Sequence, residues 1–428
     1  MSKQWMRLDN AALIFPATRK SGWANLFRVS ATLHEQVDPS LLQQAVNDLK
    51  PRFPSIYVHL RRGFFWYYLE ELSTPPAVRR DFAYPLANMS LKEIRRCCFR
   101  VVYFRNRIAV EFFHAVTDGT GGMAFLKTLT AHYLELAHDI RIPATDGVLD
   151  WKQPPLPEEL EDSFQIHSAK YPLRQKEVRA YRAHGTPVNN YLFLTTGVVP
   201  TQKLSEAAHA CGATVTAFLT AVMAQVELEK QAEEQPKLSR QLPVQICVPV
   251  NLRRLYDSHT MRNFVLPVNP GVDPRLGAYT LEELCTAVTS QLRAEVTPQK
   301  MAGRMAPNVN PQNMLAVRVV PLFLKNLLMR MVYDRRGERS ASPNVSNLGR
   351  QALPVGMTPF VERLEFIIGV QQTYPNNCSV ASLGDTTCIN FIRSIREADL
   401  ERRFFSRLVE LGVPVAIESN ENNYRERR

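Results

Sequence analysis

The strongest signal in this chain is Glu111-Phe-Phe-His114-Ala-Val-Thr117-Asp118-Gly119-Thr120-Gly121-Gly122. The apolar run before His114 predicts a strand, which delivers this histidine to its end. The glycines forbid a simple continuation into a helix, so we expect a tight strand-to-helix loop whose backbone N–H groups point outward. A neutral imidazole there can take a proton from an alcohol at neutral pH, while nearby N–H donors stabilise the oxyanion of an attacked thioester. The stretch therefore predicts a general base beside an oxyanion site.

Two other interpretations of the same stretch stay open at this point. In the first, His114 is a core histidine with satisfied hydrogen bonds, and Asp118-Gly119 is only a turn. In the second, His114 and Asp118 ligate a metal. No third ligand stands at a regular spacing nearby, so we set the metal aside.

The region around this stretch predicts strands and helices in mixed order. The predicted elements are a strand over Leu26–Leu33, a helix over Pro39–Leu49 with Asp38 as N-cap, aromatic strands over Ile56–Leu60 and Gly63–Leu69 with a turn at Arg62-Gly63, a hairpin of Cys98–Phe104 with Ile108–Phe113, and a helix over Met123–Ala137. A proline-rich stretch follows, with Pro143, Pro154, Pro155 and Pro157. We predict an N-terminal lobe over residues 1–185, with a linker over about 140–185, and a C-terminal lobe over 186–428.

The second half repeats this mixture of strands and helices. The predicted elements are strands over Tyr191–Val199, Leu242–Val250, Val265–Val268, Asn344–Leu348, Arg363–Val370, Ser379–Ala381 and Thr386–Arg393, and helices over Gln202–Ala210 with Gly212 after its end, Thr214–Lys230, Leu281–Glu295, Asn313–Tyr333 with a break near Pro321, and Glu397–Leu411. Because strands and helices do not alternate strictly, the pattern predicts an α+β protein with two mixed-sheet lobes.

Composition narrows the class of protein. The 428 residues are 45% hydrophobic and 22% charged, which excludes disordered and low-complexity chains. The net charge of +11 favours acidic partners such as phosphorylated cofactors, nucleic acid or an anionic membrane surface. Seven cysteines without C-x-x-C spacing indicate reduced, mostly buried thiols. A polar N-terminus and the lack of 18 uninterrupted apolar residues predict a cytoplasmic protein without a spanning helix.

Three motifs together resemble the chloramphenicol acetyltransferase-like superfamily, which includes peptide-synthetase condensation domains, wax ester synthases and alcohol acetyltransferases. The segment His114–Gly119 resembles the H-x-x-x-D-G core of that superfamily. Val248-Pro-Val-Asn-Leu-Arg253 is similar to its P-V-N-x-R strand end, and Asn344-Val-Ser-Asn-Leu-Gly349 is similar to its S-N-x-G segment. The order and spacing of the three motifs extend the resemblance over nearly the whole chain, and the alcohol acetyltransferase-like proteins are the nearest in pattern.

The resemblance implies two similar lobes that meet along a tunnel, with His114 midway as general base. It implies that Asp118 turns away from substrate and pairs with Arg253, and that the Gly119 N–H binds the oxyanion. Asn347, Ser346 and Thr117 are the implied substrate-binding residues. No metal and no bound cofactor are implied, and no covalent acyl-enzyme is expected. Acetyl-CoA or another acyl-CoA is the implied co-substrate, with a small or lipophilic alcohol as acceptor.

One position departs from the pattern, because many relatives carry two adjacent histidines and this chain has Phe113 before His114. The second histidine of the pair is the catalytic one, so the base is retained and the structural role of the first is in doubt. Arg253 has a simpler interpretation as a solvated arginine beside Arg254. Ser346 and Asn347 likewise have a simpler interpretation as residues that cap a turn.

Residues 317–339 combine apolar and basic side chains, which indicates either a helix packed on its own lobe, a peripheral contact with an anionic membrane, or a patch that attracts coenzyme A phosphates. The sequence contains no G-x-S-x-G, no P-loop and no G-x-G-x-x-G after a strand, so hydrolase, P-loop and dinucleotide functions lack support. Without a nucleic-acid reader motif, no nucleic-acid partner is expected. We predict an acyl-CoA-dependent O-acyltransferase; the alternatives are a condensation-type enzyme with a carrier-protein donor and a non-catalytic binding protein.

Overall fold

The computed structural model describes residues 5–18, 25–82, 84–173, 178–332, 343–371 and 374–425. Its strands are β1 (Trp5–Arg7), β2 (Leu26–Leu33), β3 (Val58–Arg62), β4 (Tyr67–Glu71), β5 (Arg79–Arg80), β6 (Phe99–Phe104), β7 (Arg107–Phe113), β8 (Phe193–Pro200), β9 (Val244–Gln245), β10 (Val248–Asn251), β11 (Val265–Val268), β12 (Gly271–Val272), β13 (Val345–Gln351), β14 (Val361–Ile368), β15 (Asn376–Leu383), β16 (Thr386–Arg393) and β17 (Ala416–Ser419).

Helices alternate irregularly with these strands. The α-helices are α1 (Ile14–Thr18), α2 (Pro39–Asp48), α3 (Leu91–Ile94), α4 (Gly119–His138), α5 (Ser163–His167), α6 (Thr201–Ala210), α7 (Val215–Glu234), α8 (Arg253–Tyr256), α9 (Leu281–Glu295), α10 (Pro298–Asn313), α11 (Leu315–Arg318), α12 (Leu322–Val332), α13 (Asp399–Glu410) and α14 (Glu421–Arg425). The mixture confirms the predicted α+β class.

The first lobe is built on a five-stranded sheet in the order β14-β2-β7-β6-β5. The central strands β2 and β7 are buried on both faces, and between them they also bury an ion pair of Arg28 with Glu111. Helices α2 and α4 pack together against this sheet, and α4 begins where β7 has just ended. This arrangement places the end of β7, and so His114, at the edge of the lobe's core.

The second lobe is built on another five-stranded sheet in the order β13-β15-β16-β8-β17, covered by α6, α7, α9 and α13. Strand β14 lies in the predicted C-terminal lobe by sequence, but it pairs with β2 and so belongs to the sheet of the first lobe. Polar side chains join the two sheets there: Ser379 donates to the Phe366 carbonyl at 2.7 Å, and Asn390 donates to the same carbonyl at 3.1 Å. The boundary near residue 185 stays a prediction.

The predicted elements agree with the structure best where the apolar pattern is long. The strands Leu26–Leu33, Val265–Val268 and Thr386–Arg393 and the helix Leu281–Glu295 have the predicted bounds. The Asp38 cap is confirmed, because its carboxylate accepts from the Ser40 and Leu41 N–H groups. The seven cysteines form no disulfide, and four of them are buried.

The structure corrects two of the local predictions and adds a helix that was not predicted. Helix α4 begins at Gly119 rather than Met123, because Gly121 and Gly122 lie in its first turns. The predicted turn at Arg62-Gly63 is a longer loop in which the Gly63 N–H donates to the Trp66 carbonyl at 2.9 Å, and β4 begins only at Tyr67. Helix α10 was not predicted, since it contains Pro307 and Pro311, residues that normally interrupt helices.

The predicted helix over Asn313–Tyr333 is two helices, α11 and α12, separated near Pro321 as expected. Tyr333 and the basic residues Arg335, Arg336 and Arg339 lie outside the described residues. Within the part of the chain that the structure describes, no single helix is both long and apolar enough to cross a bilayer. The helices α6 and α7 meet that criterion only as a pair, with a 73° bend between them.

Candidate active site

His114 follows directly after the last residue of β7. Its backbone N–H donates to the Asn25 carbonyl at 2.9 Å, which extends the pairing of β7 with β2 by one residue. The imidazole ring stacks on Phe15 with ring centres 4.6 Å apart, and it meets the edge of Phe27 at 5.1 Å. Aromatic rings from α1 and β2 therefore fix the orientation of the His114 ring.

A hydrogen-bonded chain sets which nitrogen of His114 carries the proton. The His114 Nδ1 lies 3.0 Å from Asn263 Oδ1, and the Asn263 Nδ2 donates to Asp9 Oδ2 at 3.0 Å. An ionised carboxylate only accepts, so the Asn263 amide nitrogen must face Asp9 and its oxygen must face His114. Because the Asn263 amide oxygen can only accept a hydrogen bond, His114 Nδ1 must carry the proton. The lone pair of His114 is thereby assigned to Nε2.

Asp9 is itself fully buried and held in place by several groups. Its Oδ1 accepts from the Ala12 N–H at 2.7 Å, and the Arg262 guanidinium lies 3.8 Å from its Oδ2. Burial raises the pKa of Asp9 above its usual value, while Arg262 and the hydrogen bond from Asn263 oppose that shift. The residues behind His114 are thus a buried network with its own counter-charge.

Asp118 caps the helix that begins at Gly119. Its Oδ1 accepts from the Thr120 and Gly121 N–H groups, both at 3.1 Å. Its Oδ2 faces away from the helix and accepts from Arg253 Nη1 and from the Phe264 N–H, both at 2.8 Å. The structure therefore brings Asp118 and Arg253 together as a nearly buried ion pair.

The same arginine binds the loop that carries Asn263. Arg253 Nε donates to the Thr260 carbonyl at 2.8 Å, and its Nη2 donates to the Arg262 carbonyl at 2.6 Å. Its guanidinium is therefore engaged on three sides, which excludes the interpretation as a solvated arginine. The ion pair with Asp118 links the strand-to-helix loop to residues 260–264.

Thr117 makes a further contact with that loop. Its hydroxyl donates to the Met261 carbonyl at 2.7 Å, and the side chain is fully buried. A Cβ at Gly121 would lie 2.2 Å from the Thr117 hydroxyl oxygen and 2.5 Å from the Met261 carbonyl oxygen. The glycine is thus needed for close packing inside the helix rather than for an unusual backbone conformation. The implied contact of Thr117 with substrate stays a prediction.

Gly119 lies at the first position of α4, where helix N–H groups lack intrahelical acceptors. Its N–H has no hydrogen-bond partner among the described residues, as an oxyanion donor requires. A Cβ at this position would lie 2.9 Å from the Phe366 ring and 3.0 Å from the Leu348 side chain. The S-N-x-G segment of the second lobe therefore approaches the start of this helix.

Ser346 and Asn347 lie in β13, at the start of that segment. Ser346 is buried, and Asn347 is half-buried. The Asn347 Oδ1 accepts from the Gly349 N–H at 2.7 Å, and its Nδ2 donates to Thr216 at 3.1 Å. Gly349 has a φ of +73°, and the pairing of β13 with β15 shifts register between Asn347 and Arg350, so Asn347 stabilises a bulge within the strand rather than a turn. Contact of either residue with substrate stays a prediction.

Phe113, which replaces the first histidine of many relatives, is fully buried in the first lobe. Its N–H donates to the Cys98 carbonyl at 2.8 Å, and it pairs with Leu26 across the sheet. An apolar ring at this position fills the core directly beneath His114. The departure from the pattern thus leaves the surroundings of His114 intact.

Sequence reasoning missed Asp9 and Asn263. Asp9 had a local signal, since an aspartate before Ala-Ala-Leu is typical of a helix cap. Asn263 stands just before a predicted strand, where an asparagine is ordinary. Because 149 residues separate Asn263 from His114, no local spacing connects the two.

With this geometry, comparison with solved structures shows that the chain has the fold of condensation domains and of acetyltransferases such as TRI3 and TRI101, the fold that the three motifs implied. No family model matches the sequence, and no curated protein matches it. The structural likeness extends over nearly the whole chain and includes condensation domains as well as acetyltransferases.

Three of these structures illustrate the range. A mutant starter condensation domain of rhizomide synthetase RzmA, in complex with C8-CoA, is 13% identical with a TM-score of 0.60, and 95% of each chain is covered. TRI101 from F. graminearum, complexed with coenzyme A and deoxynivalenol, is 12% identical with a TM-score of 0.59 and coverage of 94% of this chain and 97% of that one. Polyketide synthase associated protein 5 from Mycobacterium tuberculosis is 15% identical with a TM-score of 0.57, covering 94% and 96%.

Proposed function

We propose that this protein is an acyl-CoA-dependent O-acyltransferase in which His114 is the general base. The observation that carries the proposal is the chain from His114 through Asn263 to Asp9, which leaves the Nε2 lone pair of His114 available. A core histidine would be expected to have hydrogen-bond partners on both ring nitrogens, whereas the chain through Asn263 engages only Nδ1. The unpaired Gly119 N–H after the same strand supplies the second element that acyl transfer requires.

In the proposed reaction, the acceptor hydroxyl gives its proton to His114 Nε2 while its oxygen attacks the thioester carbonyl carbon. The carbonyl oxygen becomes an oxyanion, which the Gly119 N–H stabilises. The carbon–sulfur bond then breaks, the ester is released, and the thiolate of coenzyme A takes the proton back from Nε2. No covalent acyl-enzyme forms, so a ternary complex and proximity provide much of the rate.

The other residues act by position. Asp118 and Arg253 fix the loop that presents His114 and Gly119, because they join the start of α4 to residues 260–264. Asn263 and Asp9 hold the proton on Nδ1 and the plane of the ring. Ser346, Asn347 and Thr117 are the proposed substrate-side residues, at the proposed passage between the lobes.

The donor is proposed from chemistry and from the neighbours. Two of the similar structures hold coenzyme A or an acyl-CoA, and the net charge of +11 suits a phosphorylated donor. We propose acetyl as the acyl group and a small or lipophilic alcohol as acceptor. Condensation with a carrier-bound donor is the second candidate, since peptide-synthetase condensation domains share the fold.

The test is free-thiol release from acetyl-CoA by purified protein over a panel of short and long alcohols and amines. We expect acceptor-dependent release that His114→Ala lowers by at least a hundredfold. His184→Ala, which changes an exposed histidine elsewhere, is the matched control. Release without dependence on His114 would overturn the assigned base. If no acceptor or longer acyl-CoA supports release, a carrier-bound donor replaces free acyl-CoA as the favoured substrate.

A further inference from the structure

Helix α12 presents one apolar face away from the protein. Five of its side chains are exposed at i, i+1, i+4, i+5 and i+8 spacing: Phe323, Leu324, Leu327, Leu328 and Met331. Phe323 is 60% exposed and Leu327 is 57% exposed. Side chains at this spacing lie along one face of a helix, so they form a continuous stripe. Single exposed leucines are ordinary, but a stripe of five is an interaction surface.

The loop between β3 and β4 extends this stripe with aromatic rings. The Leu322 N–H donates to the Phe64 carbonyl at 2.9 Å, and Lys325 Nζ donates to the Phe65 carbonyl at 2.9 Å. Phe64 is 71% exposed and Trp66 is 40% exposed beside it. We call the exposed face of α12 and this loop the docking face. Exposed tryptophan and phenylalanine beside leucine are typical of segments that rest in a bilayer interface.

The two segments that form the docking face carry charges of one sign. The sequence contains no aspartate or glutamate between Glu295 and Asp334, or between Asp48 and Glu70, while both segments contain lysine and arginine. Arg318 is exposed, and Lys325 lies at the boundary between the helix and the loop. The nearest carboxylate after the loop, Glu70, is already bound by Arg61 and His59. A second copy of this face would therefore be repelled, whereas an anionic lipid surface would complement it.

The docking face adjoins the site. Helix α12 packs on α1, and Phe15 of α1 stacks on the His114 ring. A hydrophobic molecule leaving a bilayer at this face would meet the element that covers the candidate base. Rings, apolar stripe and uniform charge thus occur together next to the site rather than elsewhere on the surface.

We propose that the docking face binds an anionic membrane surface, with α12 lying in the plane of the interface and Phe64 and Trp66 inserted beside it. The proposal goes beyond the proposed function, since binding to lipid needs no chemistry. It deepens that function in one respect, because it assigns lipid-dissolved alcohols as the acceptor class.

The test is flotation of the full chain with vesicles of phosphatidylcholine alone or with 30% phosphatidylglycerol. We expect the protein to bind the anionic vesicles. Binding should be at least tenfold weaker to vesicles of phosphatidylcholine alone, and at least tenfold weaker to the anionic vesicles in 0.5 M NaCl. The double variant Phe323→Glu/Leu327→Glu should lose at least tenfold in binding to anionic vesicles, and so should Phe64→Glu from the other segment. Leu238→Glu/Leu276→Glu, at two exposed leucines of the second lobe, should bind like the unchanged protein.

His114→Ala should also bind like the unchanged protein, which separates docking from catalysis. Failure of the acyl-transfer assay with intact vesicle binding would leave this proposal standing alone. Absence of binding to anionic vesicles, or retention of binding in the double variant, would overturn it. A concentration-dependent dimer that the double variant abolishes, without vesicle binding, would also overturn it, because the face would then bind a second copy. Thermal melting checks that each variant is folded.

Discussion

At the scale of single residues, the candidate site depends on the proton on His114 Nδ1, which Asn263 and Asp9 hold in place. Asp9 is an acceptor, Asn263 is a fixed relay, and the histidine has one nitrogen left for chemistry. A free imidazole exchanges between its two tautomers in solution, so this arrangement removes an unproductive form. In the proposed reaction, Asn263 is thus a positioning residue that acts through His114.

We therefore predict that Asn263→Ala lowers kcat by about ten- to a hundredfold, since it leaves Nδ1 without its acceptor and removes the side-chain donor to Asp9. The pH profile of kcat/KM should move as well, because the environment of the base has changed. Thiol release between pH 5 and 9 measures both. Asn47→Ala, which removes an exposed amide from α2, is the control. A lower kcat with an unmoved pH profile would indicate a merely structural role.

The ion pair of Asp118 with Arg253 is a second residue-scale feature, and it supports a stability prediction. Asp118→Ala should lower the free energy of unfolding by about 3–5 kcal/mol, because it leaves the Arg253 charge nearly buried and unpaired. Urea titration measures the change. Asp38→Ala removes a cap from α2 without stranding an arginine, so it should cost only about 1 kcal/mol. Equal losses in the two variants would contradict the assigned importance of the pair.

At the scale of elements, helix α4 packs closely against residues 260–264 because Gly121 has no side chain. The first turns of α4 approach the Met261 carbonyl so closely that no side chain fits at Gly121. This contact, rather than a turn, explains why the glycines follow the histidine motif. It also explains why the helix begins four residues earlier than its apolar pattern predicts.

We expect Gly121→Ala to destabilise the protein by about 1–3 kcal/mol, because a methyl group must displace Thr117 or the Met261 backbone. Thermal or urea unfolding provides the measurement. Gly356→Ala is the control, since a Cβ there would meet the Ile142 side chain at an ordinary 3.5 Å. Its stability should change by less than about 1 kcal/mol. A Gly121→Ala protein as stable as the control would show that the helix start is free to shift.

At the scale of the whole molecule, the two lobes contribute different residues to the candidate site. The first lobe contributes His114, the proposed base, and the second contributes Arg253, Asn263 and a strand that completes the first sheet. The second lobe also buries Glu227 in its core, where neither carboxyl oxygen has a hydrogen-bond partner among the described residues. Burial raises the pKa of Glu227 from its ordinary 4.5 to about 8.

This carboxyl predicts a stability that falls as pH rises. Between about pH 4.5 and 8 the unfolded chain ionises Glu227 and the folded chain does not, so the free energy of unfolding should fall by about 1.4 kcal/mol per pH unit. Glu227→Gln should remove that slope and stabilise the protein by about 5 kcal/mol at pH 9. Urea titrations at pH 5, 7 and 9 measure it. Glu229→Gln, on the same helix but paired at the surface with Arg407, should keep the slope. A slope that survives Glu227→Gln would refute the assignment.

The features that could be predicted before folding are those that depend on neighbours along the chain. Local hydrophobic patterns predicted β2, β11, β16 and α9, and the three motifs predicted the fold and pointed to His114, because periodicity and local spacing are properties of the chain alone. The sequence did not determine the partners of His114. Asp9 and Asn263 lie more than 100 residues from it or from each other along the chain, and only the packing of the N-terminal segment and the 260–264 loop brings them together. The docking face likewise needed the tertiary structure, since only folding shows which side of α12 packs on the β3–β4 loop and which side is left exposed.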